Sequence, residues 1–579
     1  MSGPSRAISC AATTATPPPT PGRLVHTQSD VLSERGVVAA GHPDEADAGV
    51  RVLSEGGNAM DAVIAAAFVG FVVEPASCGL GGYGHLAAFM PGRGGFVTVD
   101  HGPRVPAGAR PDMFEIEEGA RPLYYGWPAT VGRKNEWGHR AVAVPGAVAG
   151  LCAAHERWGR LPFAQLLEPA IEAAERGLDV SWNLVLFLNE RLAEIRRLPR
   201  AAEWLLRDGD IPRPPGWGGV RDRIDLSELA GTLRLIARRR AAGLYEGAVA
   251  EAIEREVCGN GGILTADDLR AYEPRILTEQ PGRYRGYEYV TAFDQLGYET
   301  LNILEQFDLG ALGADSLGFR HLAAEALAAA FVDNSAWFGD PDVVESPVRG
   351  LSSREFGAYR AAGISLERAL PRPVAAADPR RFDQGALPGR LPYRGTSQMA
   401  AADAEGNVVS LISSLTHAFG SLVLVPGTGI LLNNSMVNFD PRPGRPNSIA
   451  PGKLPLFAAP ALVAARAGEA VLGSCGSGGY RILSGVLHSA LHAFDFGMDV
   501  QAAIDAPRVH CQGGRTLVDG RIPQHVIEGL RELGHDVDVV MDDPGLTHFG
   551  RISAVSRDPH SGVLHAGSGP AWWTAAAGV

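Results

Sequence analysis

The sequence predicts an α+β fold arranged as a layered sandwich rather than a doubly wound parallel sheet. Helical periodicity dominates the first two thirds of the chain, and short strands between glycine-containing turns open the last third, after Gly395. A run of helices followed by a run of strands is the signature of segregated layers, whereas a doubly wound sheet alternates the two throughout. With 45% hydrophobic and 20% charged residues, the 579-residue chain has enough apolar material for a packed core, which excludes wholesale disorder.

The elements follow in order. Residues 1–30 are expected to be a disordered tail, Thr/Pro/Ala-rich from Thr13 to Pro21, with order beginning near Val31. Ala59–Val73 is apolar almost throughout and opens after Gly56-Gly57-Asn58, which predicts a turn and then a buried helix. The cluster Cys78-Gly79-Leu80-Gly81-Gly82-Tyr83-Gly84 permits very close backbone packing or presentation of N–H groups. It is a poor phosphate loop, because no Lys-Ser/Thr follows and a helix, not a strand, precedes it. Leu151–Arg176 is helical with interruptions at Pro162 and Pro169, and Leu184–Leu198 is amphipathic and should end or kink at Pro199. Leu226–Arg240, Ala248–Val257 and the Ala-rich Phe319–Phe331 are further helices, while Ala361–Leu391 reads as exposed and flexible. Thr396–Ala402 and Val408–Ser414 are predicted strands joined by the turn Asp403–Asn407, and Gly429–Asn433 is a short strand. Leu456–Ala465 and Ala470–Gly473 suggest a second hairpin, and Ile482–Phe494 a helix entered from Gly476-Ser477-Gly478-Gly479. There are no internal repeats.

A net charge of −13 argues against nucleic acid as a partner. The longest apolar run, Ala62–Val73, falls short of the roughly 18 residues of a membrane span. With no apolar region behind the N-terminal Arg6, a soluble cytoplasmic protein that does not engage membranes is expected. Cys10, Cys78, Cys152, Cys258, Cys475 and Cys511 are scattered without a CxxC, so unpaired thiols and neither metal nor cofactor are expected.

A series of motifs carries more. It runs through Gly56–Ala62, Val73-Glu74-Pro75 with the glycine cluster, Val144-Pro145-Gly146, Asn260-Gly261-Gly262 and Phe338-Gly339-Asp340-Pro341. It continues with Gly395-Thr396-Ser397, Asp403–Ser414, Phe419-Gly420, Pro426–Asn434, Gly478–Ile482 and Ala506-Pro507-Arg508. In this order the motifs resemble the γ-glutamyltransferases (γ-glutamyltranspeptidases) among the N-terminal-nucleophile hydrolases. The resemblance spans the chain from about Val31 onward. It implies a four-layer αββα sandwich and a precursor that cuts itself between Gly395 and Thr396. The products would be a large fragment, 31–395 beyond the tail, and a small fragment, 396–579, each the other's partner.

The resemblance makes Thr396 the nucleophile, with its freed α-amino group, of ordinary pKa near 7.7–8.0, as the base. It makes the backbone around Gly478 and Gly479 the oxyanion hole, and Ser414 the counterpart of a family threonine that hydrogen-bonds the nucleophile. Substrate contacts are expected from the positions of Gly102, Arg104, Thr416, Ser435, Asn438 and Tyr480. Several of these depart from the family. Gly102 replaces the arginine that grips an α-carboxylate, Arg104 lying two residues on, and Asn438 replaces the acid that binds an α-ammonium. Ser435 takes an acidic or amide position, and Leu456 and Phe457 take those of a serine pair. A glutamyl zwitterion fits poorly where both counter-charges are gone. The expectation is a hydrolase for a different small molecule, an acyl or oxalyl group on an amide or C–C bond. C–C-cleaving homologues of actinobacterial antibiotic pathways, which handle 4-alkylproline units, set the precedent. The alternatives are a true γ-glutamyl hydrolase or transferase and an uncleaved, non-catalytic binding relative.

Overall fold

The computed structural model describes residues 30–120, 126–215, 221–277, 280–292, 295–384, 397–456, 460–542, 548–569 and 573–579. Gly395, Thr396 and Phe457 lie outside the described residues, as do most of the N-terminal tail and the end of the Ala361–Leu391 stretch.

Two seven-stranded sheets form the centre. In chain order their strands are β1 (Val31–Ser33), β2 (Gly36–Ala40), β3 (Tyr83–Met90), β4 (Gly95–His101), β5 (Arg275–Leu277), β6 (Gly282–Tyr284) and β7 (Tyr287–Val290). They continue with β8 (Ser397–Asp403), β9 (Val408–Ser414), β10 (Leu462–Arg466), β11 (Glu469–Ser477), β12 (Arg551–Arg557), β13 (Leu564–Ser568) and β14 (Ala575–Gly578). The first sheet has the order β14-β2-β8-β9-β3-β4-β5, and the second β1-β13-β12-β11-β10-β7-β6. All of these pairings are antiparallel. β8 lies in the first sheet's interior and faces β11 and β12 of the second.

Helices cover both outer faces, completing the αββα layering that the family resemblance implied. On the first sheet lie α1 (Pro43–Ser54), α2 (Ala59–Val73), α3 (Ala147–Trp158) and α4 (Phe163–Arg176). On the second lie α5 (Gln295–Leu304), α6 (Leu317–Trp337), α7 (Arg481–Phe496) and α8 (Val500–Asp505). α2 has the bounds its apolar run predicted, and all but its last residue are buried. Asn58 caps it, accepting from the Asp61 N–H while the Asp61 carboxylate accepts from the Asn58 N–H. The apolar layer between α2 and the first sheet and the layer between the sheets are separate cores, so the strands β8 and β9 are buried on both faces.

Some local expectations shift. Pro162 does separate two helices, but Pro169 sits inside α4, where the buried stripe Leu166, Leu167, Ala170 outweighs the one lost N–H. Pro199 opens a new helix, Pro199–Leu205, in its first turn, where no N–H partner is needed. The second hairpin's second strand, β11, runs on to Ser477 and delivers the chain directly to Gly478. The stretch expected to be exposed and flexible is irregular but anchored. Ala369 and Val374 are buried and donate backbone hydrogen bonds to the Leu533 and Gly513 carbonyls at 2.7 Å each.

No helix among the described residues is long and apolar enough to cross a membrane. Cys78, Cys152, Cys258, Cys475 and Cys511 are unpaired thiols.

Candidate active site

The ends of β2, α2, β9 and β11 converge on the start of β8. Ser397, the first described residue after the expected cleavage position, pairs with Ser413, and Ser414 closes β9. Here the glycine cluster shows its use. A Cβ on Gly82 would lie 2.3 Å from the Ser414 carbonyl oxygen, and one on Gly84 2.0 Å from that of Ile412. The cluster therefore serves close backbone packing rather than phosphate binding, and it fixes the end of β9.

Beyond Ser414 the chain turns sharply. The Thr416 N–H donates to Ser414 Oγ at 2.7 Å, and Thr416 has φ +83, a conformation a β-branched residue avoids. Its hydroxyl is held from two sides, by Tyr83 OH at 2.8 Å and by Ser435 Oγ at 3.0 Å. Asn433 anchors Ser435: its Oδ1 accepts from the Ser435 N–H, and its Nδ2 donates to the carbonyls of Gly81 and Ala143. Ser414, Thr416 and Ser435 are thus one buried hydroxyl network. Tyr83 and Asn433 are its supports; both stand inside motifs of the sequence, yet nothing there assigned them this role.

From the facing sheet come Gly478 and Gly479, with φ +125 and +69. A Cβ on Gly478 would approach Gly550 Cα to 2.9 Å, so the chain requires glycine here. Gly550 is held in turn by Arg508, whose buried guanidinium donates to the Phe549 and Gly550 carbonyls at 3.1 and 3.2 Å. Tyr480, expected as a substrate contact, stands at the N-cap position of α7 and has its ring edge-on to Phe331, with centroids 6.4 Å apart.

Of the expected headgroup positions, Gly102 and Asn438 are buried and uncharged, whereas Arg104 is a partly buried cation. Gly102 is pinned by its N–H to Asp100 Oδ1 (2.9 Å) and by its carbonyl, which accepts from Tyr272 OH (2.6 Å). Arg104 turns onto Asp100 (2.9 Å), which Arg275 also contacts (3.1 Å). Asn438 is fully buried beside Ser435 in the short helix Ser435–Asn438, and its carbonyl accepts from Asn447. Asn447 Oδ1 also accepts from the N–H of Leu456, a buried apolar residue.

Behind Gly102 the environment is charged: Arg104 and Arg275 share Asp100, and Arg275 also pairs with Asp342. Burial raises Asp100, yet Arg104 and Arg275 overcome this and hold its carboxyl well below the usual range. Burial pushes His85 down to about 3 and His101 to about 4, so both are neutral in the fold. Below pH 6.5 the unfolded chain binds a proton at His101 that the folded chain refuses down to about pH 4, so stability falls as pH falls through that window. Summed over the window, His101 accounts for about 3 kcal/mol. His101→Gln should therefore flatten the decline of Tm between pH 6.5 and 4 relative to the parent, as measured by thermal melts.

Among the described residues one cluster has metal-ligand geometry: His321, Glu325 and His535. His321 Nδ1 lies 2.8 Å from His535 Nε2, and its other nitrogen contacts the Ser365 carbonyl at 2.7 Å. Arg372 already pairs with Glu325 and reaches His535 Nδ1 at 3.3 Å. A cation would compete with this guanidinium, so the cluster is accounted for as a clasp between α6 and the segment carrying Ser365 and Arg372.

Two facing antiparallel sheets, flanked by helices and meeting at this site, make the protein a four-layer sandwich of the N-terminal-nucleophile hydrolase type. The family model for γ-glutamyltranspeptidase matches residues 46–579, and the chain belongs to that family of enzymes. It is similar to the acylase ACY 1 proenzyme of Pseudomonas sp. (strain V22), 35% identical over 93% of this chain and 92% of that one. The glutathione hydrolase proenzyme of Bacillus subtilis (strain 168) is 29% identical over 93% and 90%. Among solved structures, the cephalosporin acylase from Bacillus halodurans superposes with a TM-score of 0.83, at 28% identity, covering 98% of this chain and 99% of that chain.

Proposed function

We propose that the chain is made as a proenzyme, cuts itself between Gly395 and Thr396, and hydrolyses the amide of an acyl group other than γ-glutamyl. The observation that carries the specificity is that no free counter-charge stands at the headgroup positions Gly102 and Asn438. Gly102 and Asn438 bear no charge, and Arg104 is engaged by Asp100. The similarity to acylases supports the same reading.

In this mechanism the α-amine of Thr396 takes the Oγ proton as Oγ bonds to the substrate carbonyl carbon. The oxyanion lodges against the N–H groups around Gly478 and Gly479, with the Ser414 hydroxyl steadying the nucleophile. As the C–N bond breaks, the amine leaves with the proton. Water then attacks the acyl ester and gives a proton to the α-amine; as the ester C–O bond breaks, the resulting ammonium returns that proton to Thr396 Oγ, and the acid leaves with hydroxyl and amine restored.

The test is a substrate panel on purified, processed protein: anilides of γ-glutamate and of neutral and dicarboxylic acyl groups, an oxalyl amide, and an oxalyl ketone for C–C cleavage. Faster turnover of a non-glutamyl amide is expected. Robust γ-glutamyl release would overturn the specificity, and turnover confined to the ketone would move the activity to the C–C bond. Gly102→Arg combined with Asn438→Asp should lower the KM for the γ-glutamyl anilide about tenfold or more, since each change supplies a missing counter-charge.

A further inference from the structure

On the face of β8 turned toward α1 and α2, Ser397 Oγ reaches two carboxylates. It donates to Glu74 Oε2 and lies 3.2 Å from Glu45 Oε1. Glu45 belongs to the first turn of α1 and is fully buried, its Oε2 accepting from the N–H groups of Gly41 (3.0 Å) and His42 (3.2 Å). Glu74 caps the C-terminus of α2, and its Oε1 is 3.3 Å from Arg551, which is 1% exposed. Arg551 Nε donates to Ser477 Oγ at 2.6 Å, and Ser477 directly precedes Gly478. One charged chain thus runs from the residue after the proposed nucleophile to the residue before the proposed oxyanion glycines.

The cluster contains two carboxyls and one guanidinium. Two carboxylates about one hydroxyl cannot both stay ionised cheaply in a buried site, so one proton resides between them. Its position is set by the surroundings. Burial and the neighbouring Glu74 raise Glu45 well above the usual carboxylate range. Burial would raise Glu74 too, but Arg551 and Ser397 overcome it and hold Glu74 below that range. Of the other groups facing the pair, His42 is lowered chiefly by burial and stays neutral, and burial keeps the Cys78 thiol protonated. Asp44 and Arg176, which also act on His42, pair with each other at 2.8 Å. Of the cluster's three groups, Glu45 is thus uncharged, and the Glu74 carboxylate faces the Arg551 guanidinium.

We propose that Glu74 and Arg551, with Glu45 holding the shared proton, are positioning residues that lock the nucleophile's strand, through Ser397, against the oxyanion loop. This rests on the reading of Thr396 as nucleophile. Glu74→Gln preserves shape but removes one negative charge from beside Arg551. It should slow self-cleavage and kcat by about 10²-fold through misplacement. It should also move the acid limb of the kcat pH profile to lower pH, because an extra positive charge disfavours protonation of the neighbouring amine. Glu45→Gln replaces a carboxyl that is already neutral and should lose at least tenfold less than Glu74→Gln in both rates. Arg551→Lys keeps the charge and should recover part of what Arg551→Met loses.

The experiment is a gel time course of precursor cleavage, which needs no substrate, together with kcat pH profiles of the processed enzymes and thermal melts of each variant. Equal losses in Glu45→Gln and Glu74→Gln, or an unmoved acid limb in Glu74→Gln, overturn the proposal. If Glu74→Gln does not fold, the Arg551→Lys and Arg551→Met pair decides: equal loss in the two overturns it. Cleavage or turnover surviving in Thr396→Ala would instead defeat the underlying nucleophile assignment.

Discussion

Replacing Thr396 with Ala is expected to leave one uncleaved polypeptide and to reduce turnover on the order of 10⁴-fold or more. The size of the effect follows from the double duty of the residue. In the proposed mechanism its hydroxyl is both the attacker in maturation and the attacker in catalysis, and its amine exists only after maturation. Thr396→Ser keeps the hydroxyl and should cleave and turn over at reduced rate. Intact-mass measurement reads the first step, and acyl-anilide hydrolysis the second. A fully active, uncleaved parent protein would contradict the whole scheme.

Gly478→Ala should come next in effect, with kcat lowered about 10²–10³-fold and KM little altered. The reason is geometric. At φ +125 an L-residue is strained, and its Cβ would lie 2.9 Å from Gly550 Cα, which cannot retreat because Arg508 fixes the Phe549 and Gly550 carbonyls. Accommodation must then come from the loop itself, rotating its N–H groups away from the proposed oxyanion position. Steady-state kinetics measures the split, and circular dichroism distinguishes a misdirected loop from an unfolded one. An unchanged kcat would remove the Gly478 region from the oxyanion site.

Much of the fold was legible because it is local. The hairpin Ser397–Asp403/Val408–Ser414 follows from two apolar runs and a polar glycine turn, and α2 from one apolar run behind a capping Asn58. The helix of Pro169 was misread because an internal proline costs one hydrogen bond, whereas the amphipathic stripe it interrupts spans the whole element. At the site, the resemblance supplied residue identities but not their partners. Arg104 is an expected substrate contact by position, but its guanidinium pairs with Asp100, four residues back along the chain. Tyr83 and Thr416 are separated by 333 residues, and Glu74 and Arg551 by 477. No spacing rule links such residues; they meet only because antiparallel strands from distant parts of the chain end at the same edge of the sandwich.

In the first sheet, β8 and β9 from beyond Gly395 lie between β2 and β3 from before it, and in the second sheet β1 joins β13. A cut at that bond is therefore mechanically silent, since no seam opens along which the pieces could part. It does change the route back. A precursor that unfolds finds its own strands by an intramolecular search, whereas two severed pieces must first encounter each other in dilute solution. Maturation would thus act as a ratchet, leaving the finished enzyme durable while folded and slow to reassemble once denatured.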